Sequence, residues 1–201
     1  MTDPLIYPHE LTGPTIRLLT VEPDEPSAPL RCQLSETCLD TTPTTYHALS
    51  YCWGANQSPA QIICNSRPLS VTPNLHSMLL EYRRRRAITP LWVDAICINQ
   101  SNLSERTSQV RMMGRIYTEA ECVVVWLGEA EETDKNALLL LHWIHEMKVP
   151  NLAKFRNAKE CDAYLSLTLP EEYLTALAAF LLRPWFSRIW MYVPRQTWYQ
   201  R

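Results

Sequence analysis

Two short segments carry the side chains best suited to chemistry, and each of them follows an apolar run. Segment 50–54 offers hydroxyl groups and an indole, whereas segment 94–100 offers a carboxylate, a thiol and two amides. A carboxylate can bond the hydroxyls of a ribose, an indole can stack on a base, and amides can recognise polar edges. The candidate ligand- or nucleotide-binding residues are therefore Ser50, Tyr51, Trp53, Gly54, Asp94, Cys97, Asn99 and Gln100.

The same residue types also have a structural interpretation. Aspartate and asparagine cap turns and helices, which suits Asp94 and Asn99. Trp53 and Trp92 could equally be aromatic residues of the core. For Asp94 and Trp92 we favour the structural role over ligand binding.

Cys97 and Glu105 are the candidates for reactive chemistry. A nucleophilic Cys97 would need a general base, and the nearest candidate by strand arrangement, His47, lies at the other end of its strand. Glu105 and Arg106 open a helix, where a glutamate suits the positive end of the helix dipole. The sequence therefore disfavours both nucleophilic and acid–base roles here.

Motifs of other enzyme classes are missing from the sequence. It has no G-x-S-x-G and no glycine-rich phosphate loop, so hydrolase and nucleoside-triphosphatase activities have no motif support. None of the seven cysteines forms a C-x-x-C pair, and His142 and His145 have no evident third ligand, so no metal site is predicted. The run Arg83–Arg86 is predicted to be the solvated C-terminal end of a helix.

Composition excludes several further classes of protein. With 201 residues, 46% hydrophobic and 20% charged, the chain can bury a sizeable core in one domain. Its net charge of -2 and pI of about 6.2 give no basic field for nucleic acid. No secretory signal and no apolar run long enough to span a membrane are present. We therefore expect a cytoplasmic protein.

The elements that must position these residues follow from apolar spacing. After a proline-rich lead with two strands, strands alternate with helices between residues 46 and 147, interrupted by one hairpin. This order favours an α/β fold with a parallel sheet flanked by helices. The predicted strands are Ile16–Val21, Leu30–Leu34, Tyr46–Trp53, Gln61–Cys64, Leu69–Val71, Leu91–Ile96 and Cys122–Gly128. The predicted helices begin near Thr72, Asn102 or Ser104, Thr133 or Asp134, and Pro170.

Helix faces and strand cover are predicted from the same patterns. The helix after Asn102 is expected to turn Val110, Met113, Ile116 and Tyr117 inward. The helix after Thr133 is expected to carry Ala137, Leu140, Leu141 and Ile144 on its apolar face. The continuous apolar run of Cys122–Gly128 predicts a strand covered on both faces.

Several sequence segments resemble the motifs of fungal heterokaryon-incompatibility (HET) domains. Ala48–Gly54 (ALSYCWG) resembles the opening motif of the family, and ten consecutive residues, Leu91–Gln100 (LWVDAICINQ), closely resemble the second. Glu105, Arg106 and Gln109 fit the next helix of the family. Val124–Gly128 and Arg183–Trp190 resemble its following strand and its final block.

This resemblance implies a fold and a function. HET domains act in nonself recognition and programmed cell death of filamentous fungi, a form of innate immunity, and are remote relatives of TIR domains with a flavodoxin-like fold. The expected partners are the same chain, by self-association, or other HET- or NLR-type signalling proteins. Because some TIR domains consume NAD, NAD is a possible substrate; no resident cofactor is expected. An inactive remnant is a third interpretation.

One departure from the family pattern bears on catalysis. Where the family continues with Gln-Glu, this chain has Val193 and Pro194, so a catalytic glutamate is missing if the family's Glu serves as one. The sequence therefore disfavours an enzyme. The predicted organisation is a proline-rich, β-containing extension (1–45), a HET domain that ends early (46–190) and a divergent tail (191–201).

Overall fold

From residue 47 to residue 146, strands alternate with helices around one inserted hairpin, as the sequence predicts, and two further strands precede this part of the chain. The computed structural model describes residues 6–41, 44–54, 58–146 and 170–187. The strands are β1 (Thr15–Val21), β2 (Arg31–Cys38), β3 (His47–Tyr51), β4 (Ala60–Cys64), β5 (Arg67–Val71), β6 (Leu91–Trp92) and β7 (Cys122–Trp126). The helices are α1 (Pro73–Arg84), α2 (Asp94–Cys97), α3 (Leu103–Glu119), α4 (Asp134–Glu146) and α5 (Glu171–Leu181), with a 3-10 turn at Pro184–Ser187.

All seven strands join one sheet, in the order β5-β4-β2-β1-β6-β3-β7. β3 runs parallel to both β6 and β7, so the predicted parallel α/β core is confirmed. The N-terminal strands enter the same sheet: β1 pairs antiparallel with β2 and, through Leu19 and Leu91, with β6. The predicted hairpin forms at the far edge, where β4 pairs antiparallel with β5 and parallel with β2.

The described residues divide into two compact units, one containing those up to Gly128 and the other those from Glu129 onward. The core of the first lies along the sheet and includes the fully buried Trp92, whose ring meets Tyr117 edge to face. In the second unit, α4 and α5 pack together through buried apolar side chains. These side chains are Ala137, Leu140, Ala176 and Phe180.

The predicted strand Leu91–Ile96 is wrong beyond Trp92. The chain instead forms the single turn α2, closed by a hydrogen bond of 2.7 Å from the Cys97 amide to the Val93 carbonyl. The Val93 amide donates to the Cys97 Sγ at 3.3 Å. These local bonds, reinforced by Arg17 donating to the Cys97 carbonyl at 3.3 Å, outweigh the strand preference of an apolar run.

Helix α3 turns three of the four predicted residues inward. Ile116 is buried, and Met113 and Tyr117 pack against the core, as predicted. Val110 is 47% exposed, however, whereas Glu105 and Gln109 are buried. The prediction missed these two because an apolar pattern cannot reveal that a glutamate and a glutamine have buried partners.

The solvent exposure of side chains in β7 and α4 corrects two further predictions. β7 is the last strand of the sheet and is only partly covered, with Val125 42% exposed, so the expected cover on both faces is wrong. In α4, Ala137 and Leu140 are buried, but Leu141 is exposed.

The arginine run that ends α1 is not uniformly solvated. Arg83 is 6% exposed, and its guanidinium donates to three backbone carbonyls of the loop between β1 and β2. These acceptors are the carbonyls of Pro26 (3.0 Å), Ala28 (3.0 Å) and Pro29 (3.3 Å). Arg84 and Arg85 are exposed, as predicted, and both bond Glu81. The predicted loop 150–162 and the departure at Val193 and Pro194 lie outside the described residues.

Candidate functional site

The carboxyl ends of the parallel strands bring the two sequence segments together. β3 runs parallel to β6 and β7, so the carboxyl ends of all three strands point to the same side of the sheet; β3 and β7 end together at Tyr51 and Trp126, and β6 ends at Trp92, opposite Ala48. The backbone that leaves β3 carries Trp53, and the backbone that leaves β6 carries Asp94. Ligands of open α/β sheets bind outside such strand ends.

Trp53 and Asp94 contact each other directly at this edge. The Trp53 Nε1 lies 3.0 Å from Asp94 Oδ2 and 3.2 Å from Oδ1, so the indole N–H donates to the carboxylate. Asp94 Oδ1 also accepts from the Ala95 amide at 2.8 Å, which places the carboxylate at the start of α2. Trp53 remains 42% exposed. The pair therefore presents an indole face and a hydrogen-bonded carboxylate to solvent.

Gln100 and Asn99 shape the loop beside this pair. Gln100 Nε2 donates to the Asp94 carbonyl at 2.7 Å, which closes the loop onto the first turn of α2. Asn99 Oδ1 accepts from the Ser101 amide at 3.2 Å, the turn-capping role considered for it. Both amides therefore make structural bonds.

Asn74 completes the site and was missed by the sequence reasoning. Its Nδ2 donates to the Cys52 carbonyl at 2.6 Å, and its Oδ1 accepts from Trp126 Nε1 at 2.8 Å. Asn74 thus joins the ends of β3 and β7. The Thr72-Pro73 start of α1, confirmed by the Leu75 amide donating to Thr72 at 3.3 Å, was the signal that places Asn74 in the first turn.

Gly54 allows the backbone to turn away from β3. Its φ of +74° lies in the left-handed region, which glycine adopts without steric cost. A methyl group added at Gly54 would have Asn74 Cβ as its nearest neighbour, at 3.8 Å. This is an ordinary contact, so conformation rather than space requires the glycine.

Ser50 and Tyr51 support the site from within the sheet. Tyr51 is buried and Ser50 is half-buried, and both lie in β3 in register with β7. Neither therefore presents an open surface comparable with that of Trp53.

Cys97 lies in the core and is unsuited to nucleophilic chemistry. Its side chain is fully buried, and burial raises the pKa of the thiol to about 12. His47 is occupied elsewhere, with Nδ1 3.3 Å from the Tyr82 hydroxyl and Nε2 3.4 Å from Glu121. A protonated buried thiol is a poor nucleophile and a poor ligand contact.

Glu105 accepts four hydrogen bonds in a fully buried position. Its Oε1 accepts from Arg17 Nη1 at 2.6 Å and from the Asn99 amide at 2.7 Å. Its Oε2 accepts from Arg17 Nη2 at 3.2 Å and from the Leu11 amide at 3.1 Å. Burial acts to raise the pKa of Glu105, but these donors outweigh it and hold the pKa below its ordinary value. A carboxylate held ionised in this way is structural, as the sequence favoured.

Arg17 is the other half of this ion pair and ties three segments together. Its Nη2 donates to the His9 carbonyl at 2.8 Å and its Nη1 to the Cys97 carbonyl at 3.3 Å. The guanidinium lies 5.1 Å from the centre of the Tyr7 ring. Nothing in the sequence signals this pair, because its members are 88 residues apart.

The other residues of the family-motif helix have simpler roles. Arg106 is exposed, and Gln109 is buried with its Nε2 donating to the Thr15 carbonyl at 2.8 Å. Gln109 therefore anchors α3 to the start of β1.

The described residues offer neither a metal site nor a membrane span. No group of three or more His, Cys, Asp or Glu side chains there is arranged to hold a metal ion. Within the same ranges, no helix has the length and apolar character needed to cross a membrane.

Comparison with known proteins agrees with the family resemblance of the sequence motifs. A family model described as "Heterokaryon incompatibility protein (HET)" matches residues 46–193. The Neurospora crassa protein "Heterokaryon incompatibility protein 6, OR allele" is 32% identical over 182 residues, covering 74% of this chain and 27% of that protein. The chain thus spans little more than a quarter of this relative's length. No solved structure shows a significant match.

Proposed function

The chain belongs to the heterokaryon incompatibility (HET) family, and we propose that it is a signalling module for nonself recognition that triggers cell death in filamentous fungi. The observation that carries the proposal is the family match over residues 46–193, which contains both motif segments. The name of the Neurospora crassa relative supports it. Its expected place of action is the cytoplasm, and its expected partners are a second copy of the chain or other HET- or NLR-type signalling proteins.

The surface proposed to carry the signal is the edge formed by Trp53, Asp94 and Asn74. It lies outside the ends of three parallel strands, where α/β folds bind ligands, and Trp53 is exposed there. Cys97 and Glu105 lie behind this edge and hold the loop from within. A recognition surface on a rigid scaffold fits this arrangement.

NAD consumption is the alternative function at the same edge. An exposed indole beside a carboxylate suits a base and a ribose, which favours a nucleotide ligand. Against turnover, Glu105 makes four bonds in its buried ion pair, which leaves it no role in acid–base chemistry. We therefore place signalling ahead of catalysis.

Inducible expression of the chain in a filamentous fungus tests the proposal. We expect wild-type protein to kill hyphal cells, scored by uptake of a membrane-impermeant dye, and Trp53→Ala or Asp94→Ala to reduce killing at equal protein level. Arg84→Ala, which changes an exposed arginine at the end of α1, is the matched control and should kill like wild type. NAD content is measured in the same cells.

The outcomes separate the alternatives. Killing without loss of NAD supports a signalling module. Loss of NAD that depends on Asp94, reproduced with purified protein, would establish the enzyme instead. If the folded protein neither kills nor lowers NAD, both functions are refuted and the chain is an inactive remnant.

A further inference from the structure

Two buried cysteines face each other across neighbouring parallel strands. Cys32 of β2 and Cys64 of β4 are register partners, and their side chains are 2% and 0% exposed. Both are free thiols and belong to the same hydrophobic core. Register partners on parallel strands point to the same face of a sheet, so the two thiols are neighbours.

The spacing of parallel strands suits a covalent bond between them. Neighbouring strands lie about 4.7–4.9 Å apart, and the Cα atoms of disulfide-linked cysteines are usually about 4.4–6.8 Å apart. The backbone is pinned at this point, because the Ile63 amide donates to the Leu30 carbonyl at 2.8 Å and the Asn65 amide to the Cys32 carbonyl at 3.1 Å. Because the Cβ atoms of a disulfide are about 3.5–4.5 Å apart, the bond also requires the two side chains to approach each other.

The hairpin that carries Cys64 is held to the sheet by few bonds. β4 shares two register pairs with β2, whereas β1 and β2 share seven. β4 and β5 form the outer end of the sheet, linked by a two-residue turn in which Asn65 and Ser66 have φ of 49° and 63°. Local opening of this hairpin breaks a single strand pairing, whereas opening of a strand inside the sheet breaks two.

Opening also controls the reactivity of the thiols. In the closed sheet, burial raises the pKa of Cys32 to about 12 and that of Cys64 to about 11, so both are protonated at neutral pH. Exposed thiols have a pKa of about 8.5 and form the reactive thiolate far more readily. The closed hairpin thus protects the pair from oxidation.

We propose that Cys32 and Cys64 are a redox modification site, which forms a reversible disulfide with a low-molecular-weight disulfide such as oxidised glutathione as the oxidant. When the hairpin opens, one cysteine thiolate attacks a sulfur of oxidised glutathione, the S–S bond of glutathione breaks, and one glutathione thiolate leaves. The second cysteine then attacks the mixed disulfide and displaces the other glutathione. Two protein thiols are oxidised, one glutathione disulfide is reduced to two thiols, and the cysteine protons pass to the departing thiolates. This inference does not depend on the proposed function.

Peptide mapping of the purified full chain tests the site. The reduced protein is incubated with oxidised glutathione, free thiols are blocked with N-ethylmaleimide in denaturant, and the digest is analysed by mass spectrometry. We expect a linked peptide pair containing Cys32 and Cys64, lighter by two hydrogens and separated by dithiothreitol. Hydrogen exchange at Ile62–Cys64 should slow in the linked protein, because the bond removes the opening motion.

Variants and an internal control make the result decisive. Cys38 is partly exposed, and a hydrogen bond to Thr41 lowers the pKa of its thiol, so its glutathionylation shows that the oxidant is active. Cys38→Ala should retain the linked pair and Cys32→Ala should lose it. The proposal is overturned if Cys38 reacts while Cys32 and Cys64 stay reduced, or if either links to another cysteine. Because the mapping uses wild-type protein, it decides the question even if Cys32→Ala does not fold.

Discussion

Replacing Arg17 by methionine would leave a buried carboxylate without its cation. The side chains of Arg17 and Glu105 are 1% and 0% exposed, and two of the four bonds to the Glu105 carboxylate come from the guanidinium. Methionine would also leave the carbonyls of His9 and Cys97 without the donors they have now. The perturbation therefore combines an unpaired charge with unsatisfied backbone groups.

The expected cost follows from these losses. Removing one member of a buried ion pair destabilises a protein by about 3–5 kcal/mol. Since small domains have m-values of about 1–3 kcal/mol per M of urea, the unfolding midpoint of Arg17→Met should fall by about 1–5 M. Replacing Glu105 by leucine as well removes the unpaired charge, so the double variant should lose less than the sum of the two single variants.

The dependence on pH has a definite sign. Because the pKa of Glu105 is lowered in the folded protein, the stability from the pair is fully present above the unfolded carboxyl pKa of about 4.3. It is lost as the pH falls through the folded value. In Arg17→Met the opposing effect of the guanidinium is gone, so burial raises the pKa of Glu105 relative to wild type. The difference in the free energy of unfolding between Arg17→Met and wild type should therefore become smaller in acid, where Glu105 takes up a proton.

Urea titration followed by tryptophan fluorescence measures these effects. Trp92 is fully buried in the same unit and reports its unfolding. Arg84→Met is the matched control, because it removes an arginine that bonds a glutamate at 2.6 Å on an exposed surface, and it should leave the midpoint nearly unchanged. Equal midpoints for Arg17→Met and Arg84→Met, or additive effects in the double variant, would refute the reasoning.

Three further predictions concern the site and the core. Gly54→Ala forces alanine into a left-handed φ and should cost about 1–2 kcal/mol in urea unfolding, whereas Gly114→Ala, within α3 and with nothing within 4 Å, should stabilise by about 0.5–1 kcal/mol. Asn74→Ala removes the hydrogen bonds that Asn74 makes to the Cys52 carbonyl and to the Trp126 indole, and it should lower the free energy of unfolding by about 1–3 kcal/mol; a change in thermal midpoint no larger than that of Gly114→Ala would contradict this. Under reducing conditions, stability should fall as the pH rises above about 8.5, by up to about 1.4 kcal/mol per pH unit per thiol, because the unfolded chain ionises thiols that burial keeps protonated. Replacing one of these buried cysteines by alanine should make the fall in stability less steep between about pH 8.5 and the folded pKa of that cysteine. An unchanged slope would count against this account. These thiols, with folded pKa values of about 12, 11 and 12, are Cys32, Cys64 and Cys97.

The sequence predicts the parallel core well because its signals there are local. The hairpin around Asn65, the Asn102 cap of α3 and the strands β3 and β7 each follow from residue types a few positions apart. Parallel pairing of β3 with β6 and β7 follows from the alternation of strands and helices. These features are confirmed.

The features that the sequence could not predict depend on hydrogen bonds between residues that are far apart in the chain. The inward turn of Glu105 depends on Arg17, and the conversion of residues 94–97 from strand to helix depends on bonds to Cys97. The burial of Arg83 depends on carbonyls of a loop more than fifty residues earlier. Each outcome is a hydrogen-bond requirement met across the fold, which apolar spacing does not encode.

In the candidate site, the sequence located the segments but not their contacts. Trp53 and Asp94 are both candidates from the sequence, but the sequence does not indicate the hydrogen bond between them. Asn74 was missed because asparagine early in a helix is common. The role of Trp53, Asp94, Asn99 and Gln100 in binding a ligand stays a prediction.

The place of β1 in the sheet has a consequence for synthesis of the protein. β1 leaves the ribosome before β6, and its register partner Leu91 in β6 follows only after β3, the hairpin and α1. β1 pairs with β6 through Leu19, so until β6 has been synthesised this side of β1 is an unpaired strand edge on the nascent chain. Conversely, β1, which precedes the family match, covers one edge of β6 in the finished sheet. We expect a fragment that starts at residue 46 to aggregate during translation unless that edge is covered by another chain.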